Sequence, residues 1–207
     1  MADTNDITET TETTTATRPA SRLASGQFIN IQRLHVAKLL TDDTAGATYD
    51  EPVDLGKVLR SIDIKPSNSQ ADLYADGQSI DTASSTASYE LTFDTAALPL
   101  AYTAYLLGHH YENGVMVANK DDVAPYFAVL FQSDKRNGKA RYMKFYKVQF
   151  QEPSIKGSTK EENISYQTPT LTAKAIYRLS DGNCYTYADD EDAGFTAENA
   201  AKWYKTV

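Results

Sequence analysis

The strongest hydrophobic pattern in the chain lies over residues 122–153. Residues 126–132 (YFAVLFQ) form a short continuous apolar run rich in aromatic and β-branched side chains. That is the pattern of a strand buried on both faces, although periodicity alone leaves a buried helical segment open. Residues 141–150 mix Tyr142, Phe145, Tyr146, Val148 and Phe150 with Lys144, Lys147 and Gln149, which suits a strand on a pleated, half-buried surface. Between the two runs lies SDKRNGK, residues 133–139, where Asn137-Gly138 supplies two positions that accept positive φ and so a turn. The Lys and Arg side chains at this tip would keep the edge soluble. The stretch therefore predicts one long β-hairpin around which the rest is organised.

Other elements follow in order. Residues 34–40 read as a strand with Leu34, Val36 and Leu40 on one side, and 41–51 as a polar loop. A second strand spans 58–64 and is expected to stop at Pro66. Residues 65–83 carry only Leu73, Tyr74 and Ile80 as apolar anchors and read as a long loop, a length that usually signals function or flexibility. Ala87, Tyr89, Leu91 and Phe93 alternate with Ser88, Glu90 and Thr92, predicting a strand with one buried and one wet face. A helix is expected from Pro99, with Leu98, Tyr102, Tyr105 and Leu106 on its apolar face and Gly108 at its end. His109-His110 reads as a surface turn, because adjacent residues point apart and chelate poorly. After a charged loop at 151–163, residues 165–177 alternate as a strand interrupted by Pro169, which implies a bulge or an edge position. Residues 180–183 (SDGN) form a tight turn before a short strand at 184–187. Thr196 is placed to cap a short C-terminal helix that docks through Ala200, Trp203 and Tyr204.

Composition changes the picture at the N-terminus. Residues 1–26 are rich in Thr, Asp and Glu and, apart from Met1, carry only Ile7 as a sizeable apolar side chain before Leu23. Such a segment cannot bury enough surface to offset its ordering entropy, so it reads as a disordered arm ahead of one folded domain over 27–207. The fourteen tyrosines suit half-buried strands, since a Tyr can be covered and still bond water through its hydroxyl. A net charge of -8 argues against a nucleic-acid-binding protein, which needs a basic footprint. No apolar run is long enough to span a membrane and no secretory signal is evident, so synthesis and solubility in a cytoplasm are expected.

Candidate chemistry is sparse. The single cysteine, Cys184, excludes an intrachain disulfide and reads as a small buried hydrophobe. The acidic run Asp189-Asp190-Glu191-Asp192 lacks the spacing of a calcium loop and reads as solvated. No phosphate-binding loop, nucleophile elbow or metalloprotease pattern occurs, and no carboxylate pair is nominated for acid–base work. The residues thus nominate no catalytic group, cofactor or metal.

Four stretches together resemble one family: ADLYADGQSIDTASS (71–85), ALPLAYTAYLLGH followed by YENGV, DDVAPYFAVLFQSDKRNGKARYMKFYKVQFQEP, and ISYQTPTLTAKAI (164–176). In content and order they are similar to the major tail proteins of long, non-contractile-tailed bacteriophages of Gram-positive hosts, over about Leu34 to Trp203. The resemblance implies a mainly β fold, an antiparallel β-sandwich or partly closed barrel of the tail-tube type, with a flanking α-helix and a short C-terminal helix. It implies a structural virion protein rather than an enzyme: hexameric rings that stack into a tube around a tape-measure protein, meet tail-tip and tail-terminator proteins, and later conduct DNA, contacted non-specifically, without engaging a membrane.

Stacked rings need heterologous contacts that propagate along an axis. Leu73, Tyr74 and Asp76 in the 65–83 stretch, and Lys135, Arg136 and Lys139 at the hairpin tip, are the candidates for reaching a neighbour. A lumen in which DNA slides should not hold phosphate, so Asp63 and Glu90, on the wet faces of their strands, are expected to line it. The alternative from another class is a β-sandwich module whose tyrosines stack on a glycan or similar ligand; it predicts a ligand-saturable monomer, whereas a tube protein self-associates. An enzyme using the 189–192 run has no base, nucleophile or metal pattern behind it.

Overall fold

A computed structural model of the chain describes residues 26–75, 78–154, 168–192 and 194–207, the side chains of 69–84 excepted. The expected arm over 1–26 lies outside the described residues apart from Gly26, as does most of the 151–163 loop.

The strands are β1 (Phe28–Asp43), β2 (Gly46–Tyr49), β3 (Val53–Asp54), β4 (Leu59–Ala75) and β5 (Gln78–Thr95). Helix α1 (Leu100–Leu107) follows, then β6 (His110–Glu112), β7 (Val115–Val117), β8 (Tyr126–Lys135), β9 (Ala140–Phe150), β10 (Thr170–Ala175), β11 (Tyr185–Asp189) and helix α2 (Ala197–Lys202). Nine strands make one antiparallel sheet in the order β2-β1-β8-β9-β10-β5-β4, with β3 added to β1 and β11 to β9. The sheet does not close, because β2 and β4 at its two ends do not pair. The fold is mainly β, antiparallel and sandwich-like, with one flanking helix and one short C-terminal helix, as the sequence leads one to expect.

The β8–β9 hairpin is the centre of the molecule. Phe127, Val129 and Phe131 point into the main core with Val36, Leu91, Phe93, Phe145 and Val148, all fully buried. The alternate residues Ala128 and Leu130 pack with Ala37 under Tyr49, Trp203, Tyr204 and Val207. Two covered faces explain why the 126–132 run is continuously apolar rather than alternating. The turn forms at the expected place, with Gly138 at φ 78° and its N–H donating to the Lys135 carbonyl at 3.0 Å.

β9 forks the sheet. One edge pairs with β8; the other is shared, Tyr185–Asp189 of β11 opposite 141–145 and Ala173–Ala175 of β10 opposite 148–150. Lys144 and Lys147 are buried, contrary to a half-wet strand, because α2's trailing segment and the end of β1 cover that face.

Helix α1 starts one residue later than expected, with Pro99 as the cap, and buries Thr103, Ala104, Leu106 and Leu107. Gly108 ends it at φ 76°, and a Cβ there would sit 2.6 Å from the Val123 carbonyl oxygen, so both conformation and space demand glycine.

Several expectations need correction. Residues 65–83 are not a loop: β4 and β5 pair in register from Leu59↔Thr95 to Ala75↔Gln78. Pro66 does not stop β4, which lies at the sheet edge, where a missing N–H goes unpenalised. Leu40 is exposed, because the β1–β2 register shifts between Leu39 and Thr41. Ala87 is exposed and Ser88 buried, since a register shift opposite Ser67/Asn68 breaks the alternation there. The 41–51 segment contains β2 rather than being all loop. β10 ends at Ala175, leaving Tyr177 outside it, and Pro169 precedes the strand, its carbonyl accepting from Thr95. Thr196 caps α2 through Asn199 N–H as expected, but the helix buries no residue of its own; docking falls to Trp203 and Tyr204 just beyond it.

Candidate assembly surfaces

The β4–β5 hairpin outruns the sheet. β5 pairs with β10 only over Tyr89–Asp94, so among the described strands residues 67–88 pair only with one another. Nine residues from Ser67 to Ala75 at about 3.4 Å each make a two-stranded ribbon roughly 30 Å long. Leu73 and Tyr74 lie in the backbone near its far end, opposite Asp81 and Ser79. Asp76 lies outside the described residues.

At the ribbon's root, register sorts the side chains. Ile62, Phe93 and Leu171 share the core face, as do Ile64, Leu91 and Ala173. The opposite face carries Asp63 beside Thr92 and Thr172, and Lys65 beside Glu90 and Lys174. The structure thus brings Asp63 and Glu90 to one exposed face. That face is not purely acidic: Asp63, Glu90 and Asp94 are matched by Arg60, Lys65 and Lys174, with Lys65–Asp63 at 2.7 Å and Arg60–Asp94 at 3.5 Å. The bond to Asp63 holds the Lys65 ammonium above its ordinary pKa.

The β8–β9 tip behaves differently from its sequence. Arg136 and Lys139 are exposed, but Lys135 is 3% exposed, its Nζ 2.8 Å from Asp189 and 3.1 Å from Glu191. Arg141 donates to both oxygens of Asp189 at 2.9 and 2.6 Å. The Ala140 N–H donates to Asp190 at 3.0 Å. The acidic run is therefore not a solvated loop; three of its side chains clamp the hairpin from β11's end. The bidentate Arg141, with Lys135, holds Asp189 below the usual carboxylate range despite burial. Burial works against the Lys135 charge, yet the two carboxylates outweigh it and raise its pKa.

Two features were not foreseen. His109 is not a surface turn. Its ring is 7% exposed and clasped between Asp122 at 2.7 Å from Nδ1 and Glu152 at 2.7 Å from Nε2. Hydrogen bonds donated to Asp122 and Glu152 raise its pKa over the opposing effect of burial. The clasp ties the end of α1 to the approach of β8 and the exit of β9. Among the described residues Lys144 has no carboxylate partner: its Nζ donates to the Thr206 carbonyl at 2.9 Å and lies 4.8 Å from the Trp203 ring, and burial, helped by Arg178, pushes its pKa down to about 8. Pairs 13 to 62 residues apart in sequence leave no local signal.

Little here suggests chemistry. Cys184 is buried, which pushes its thiol up to about 11. Among the described residues no group of three or more His, Cys, Asp or Glu side chains is placed to hold a metal ion. No helix among them is long and apolar enough to cross a membrane. What the molecule presents instead is surface: a projecting ribbon, a charge-balanced sheet face and exposed apolar side chains.

No curated protein matches the chain. A family model described as phage tail tube protein matches residues 64–205, from the root of the ribbon through the central hairpin to the C-terminal segment. The chain belongs to the phage tail tube protein family, and is a structural component of the virion tail that assembles into a tube with other tail proteins.

Proposed function

We propose that the chain is the major tail subunit, forming hexameric rings that stack into the tube through which viral DNA passes into the host. The observation that carries this reading beyond family membership is the β4–β5 ribbon. A two-stranded ribbon on its own is marginal in water, and this one extends about 30 Å past its last pairing with the body. It suits a contact with a neighbouring subunit, and Leu73 and Tyr74 near its far end, with Asp76 and the exposed Arg136 and Lys139, remain the candidates for reaching that neighbour. Lys135 is taken up within the chain and drops out of that set. The arm over 1–26 and the tube domain over 27–207 are the proposed division. Tape-measure, tail-tip and tail-terminator proteins are the proposed partners, and the host cytoplasm the site of synthesis.

In this reading the face bearing Asp63 and Glu90 lines the lumen. Three acidic and three basic side chains leave it without net charge, which gives passing phosphates neither strong attraction nor strong repulsion. Negative-stain electron microscopy of the purified chain at high concentration, with and without a tail-tip complex, tests the function. Hollow tubes or rings of uniform diameter are expected; monomers under both conditions count against it. Asp63→Lys/Glu90→Lys tests the lumen, leaving one acidic side chain against five basic ones. Such phages should assemble tails yet eject DNA slowly, most of all at low salt; wild-type ejection would remove this face from the lumen.

A further inference from the structure

Between α1 and β8 the chain makes a second, separate sheet, the β6–β7 hairpin, which pairs His110↔Val117, Tyr111↔Met116 and Glu112↔Val115. Its turn residues Asn113 and Gly114 both have positive φ, 51° and 82°, the geometry that suits a two-residue hairpin. Cross-strand partners share a face, so Tyr111 and Met116 point one way and His110, Glu112, Val115 and Val117 the other. Every one of these side chains except the half-buried Met116 is exposed, so among the described residues the face of His110, Glu112, Val115 and Val117 is open to water.

That is an unusual place for apolar side chains. Val115 is 59% exposed and Val117 52%, and next to the hairpin's return Val123 is 77% exposed. A three-residue hairpin with one face uncovered has little to hold it, and clustered exposed apolar residues mark a contact surface. A second cluster lies elsewhere. Tyr185 and Tyr187 on β11 stack with ring centroids 4.6 Å apart while remaining about two-fifths exposed. β11 lies opposite residues 141–145 of β9, whereas α1 and the hairpin are fastened beyond the strand's other end through His109 and Glu152. The two clusters are thus separated by about 20 Å along β9.

We propose that the β6–β7 hairpin of one subunit docks on the Tyr185/Tyr187 surface of the next, forming the lateral contact between copies of this chain. The proposal rests on the tube reading, which requires that copies associate. A contact that repeats around a ring joins two different patches of the same molecule, head to tail, and leaves each subunit one donor patch and one acceptor patch. A projecting aliphatic hairpin and a half-exposed aromatic ladder on a different part of the surface meet that requirement. Tyr rings supply large apolar area with a hydroxyl that stays solvated at the rim.

Two full-length variants test it. Val115→Lys/Val117→Glu blocks the hairpin while placing each new charge across from Glu112 or His110, which preserves the hairpin itself. Tyr185→Lys/Tyr187→Glu blocks the acceptor. Circular dichroism melts matching wild type confirm that both fold, and Val117→Glu alone and Tyr187→Glu alone serve if a double variant does not. Each variant alone should stay monomeric under conditions in which wild type assembles. Their equimolar mixture retains one good hairpin facing one good acceptor, so sedimentation should show a discrete species of twice the monomer mass. Assembly of either variant like wild type, or a mixture that stays monomeric, overturns the proposal. Failure of wild type itself to assemble, with or without a tail-tip complex, instead sinks the tube reading on which the proposal stands.

Discussion

Asp42 at the end of β1 joins three segments of the fold. Its carboxylate, 5% exposed, accepts from Lys147 Nζ at 2.6 Å and from the backbone N–H groups of Leu179 and Ser180 at 3.0 and 3.1 Å. Lys147 is 11% exposed and lies 5.1 Å from the centroid of the Tyr126 ring. Asp42→Ala strands that ammonium where water reaches it poorly. Removing one partner of a buried pair costs about 3–5 kcal/mol. A domain of this size loses about 2–4 °C of Tm per kcal/mol, so the melting point should fall by about 6–20 °C. The double variant Asp42→Ala/Lys147→Met removes both charges. Beyond the pair itself it loses the hydrogen bonds from Leu179 and Ser180, Leu179 itself being exposed, and the Lys147–Tyr126 contact, and should cost about 1–2 kcal/mol. Urea unfolding followed by far-UV circular dichroism measures both, and an unchanged m-value shows that the cost falls on the native state. A loss below about 1 kcal/mol for the single variant, or a double variant worse than the single, refutes the reasoning. The pH dependence has a definite sign. Burial raises the Asp42 pKa, but the bonds from Lys147, Leu179 and Ser180 outweigh it and hold the carboxyl below its usual 3.8. Its contribution is therefore present above that value and lost as the pH falls through the lower folded one.

His109 gives the opposite dependence: because Asp122 and Glu152 raise its pKa above 6.5, its stabilisation is complete below that pH and fades as the pH rises through the folded value. His109→Gln should flatten the melting temperature against pH between about 6 and 8, and an unchanged slope would show that the clasp does not titrate there. Trp203 is half-buried against Tyr142 and Phe195, each 5.8 Å away between ring centroids, so Trp203→Ala should cost about 2 kcal/mol rather than the 3–5 of a core aromatic. Unchanged thermal stability would mean that the C-terminal segment contributes nothing by docking.

What the sequence showed and what it hid follow from range. The central hairpin was legible because Asn137-Gly138 and the flanking apolar runs act locally, and the alternation of Leu171, Ala173 and Ala175 holds in β10 as read. The distal half of the β4–β5 hairpin reads as a loop in the sequence because, among the described strands, its residues pair only with one another, and its sequence carries no alternating apolar pattern. Lys135, Lys144 and Lys147 look solvated in the sequence because the groups their ammonium ions bond lie at least 54 residues away. Of the assembly residues, Asp63 and Glu90 could be placed on one face from alternation alone. The charge balance of that face needed the register of three strands, and the exposed β6–β7 hairpin became meaningful only once its valine-bearing face was seen to be open among the described residues.

The fork at β9 sets two clocks in one chain. Amide protons along β9 are locked by neighbours on either side for nearly its whole length, so their exchange with deuterium must await global unfolding. Those of the distal ribbon are held by a single partner strand at the sheet's margin and should exchange through local opening at far lower free energy. A subunit built this way can remodel its reaching edge many times over without its spine ever coming apart.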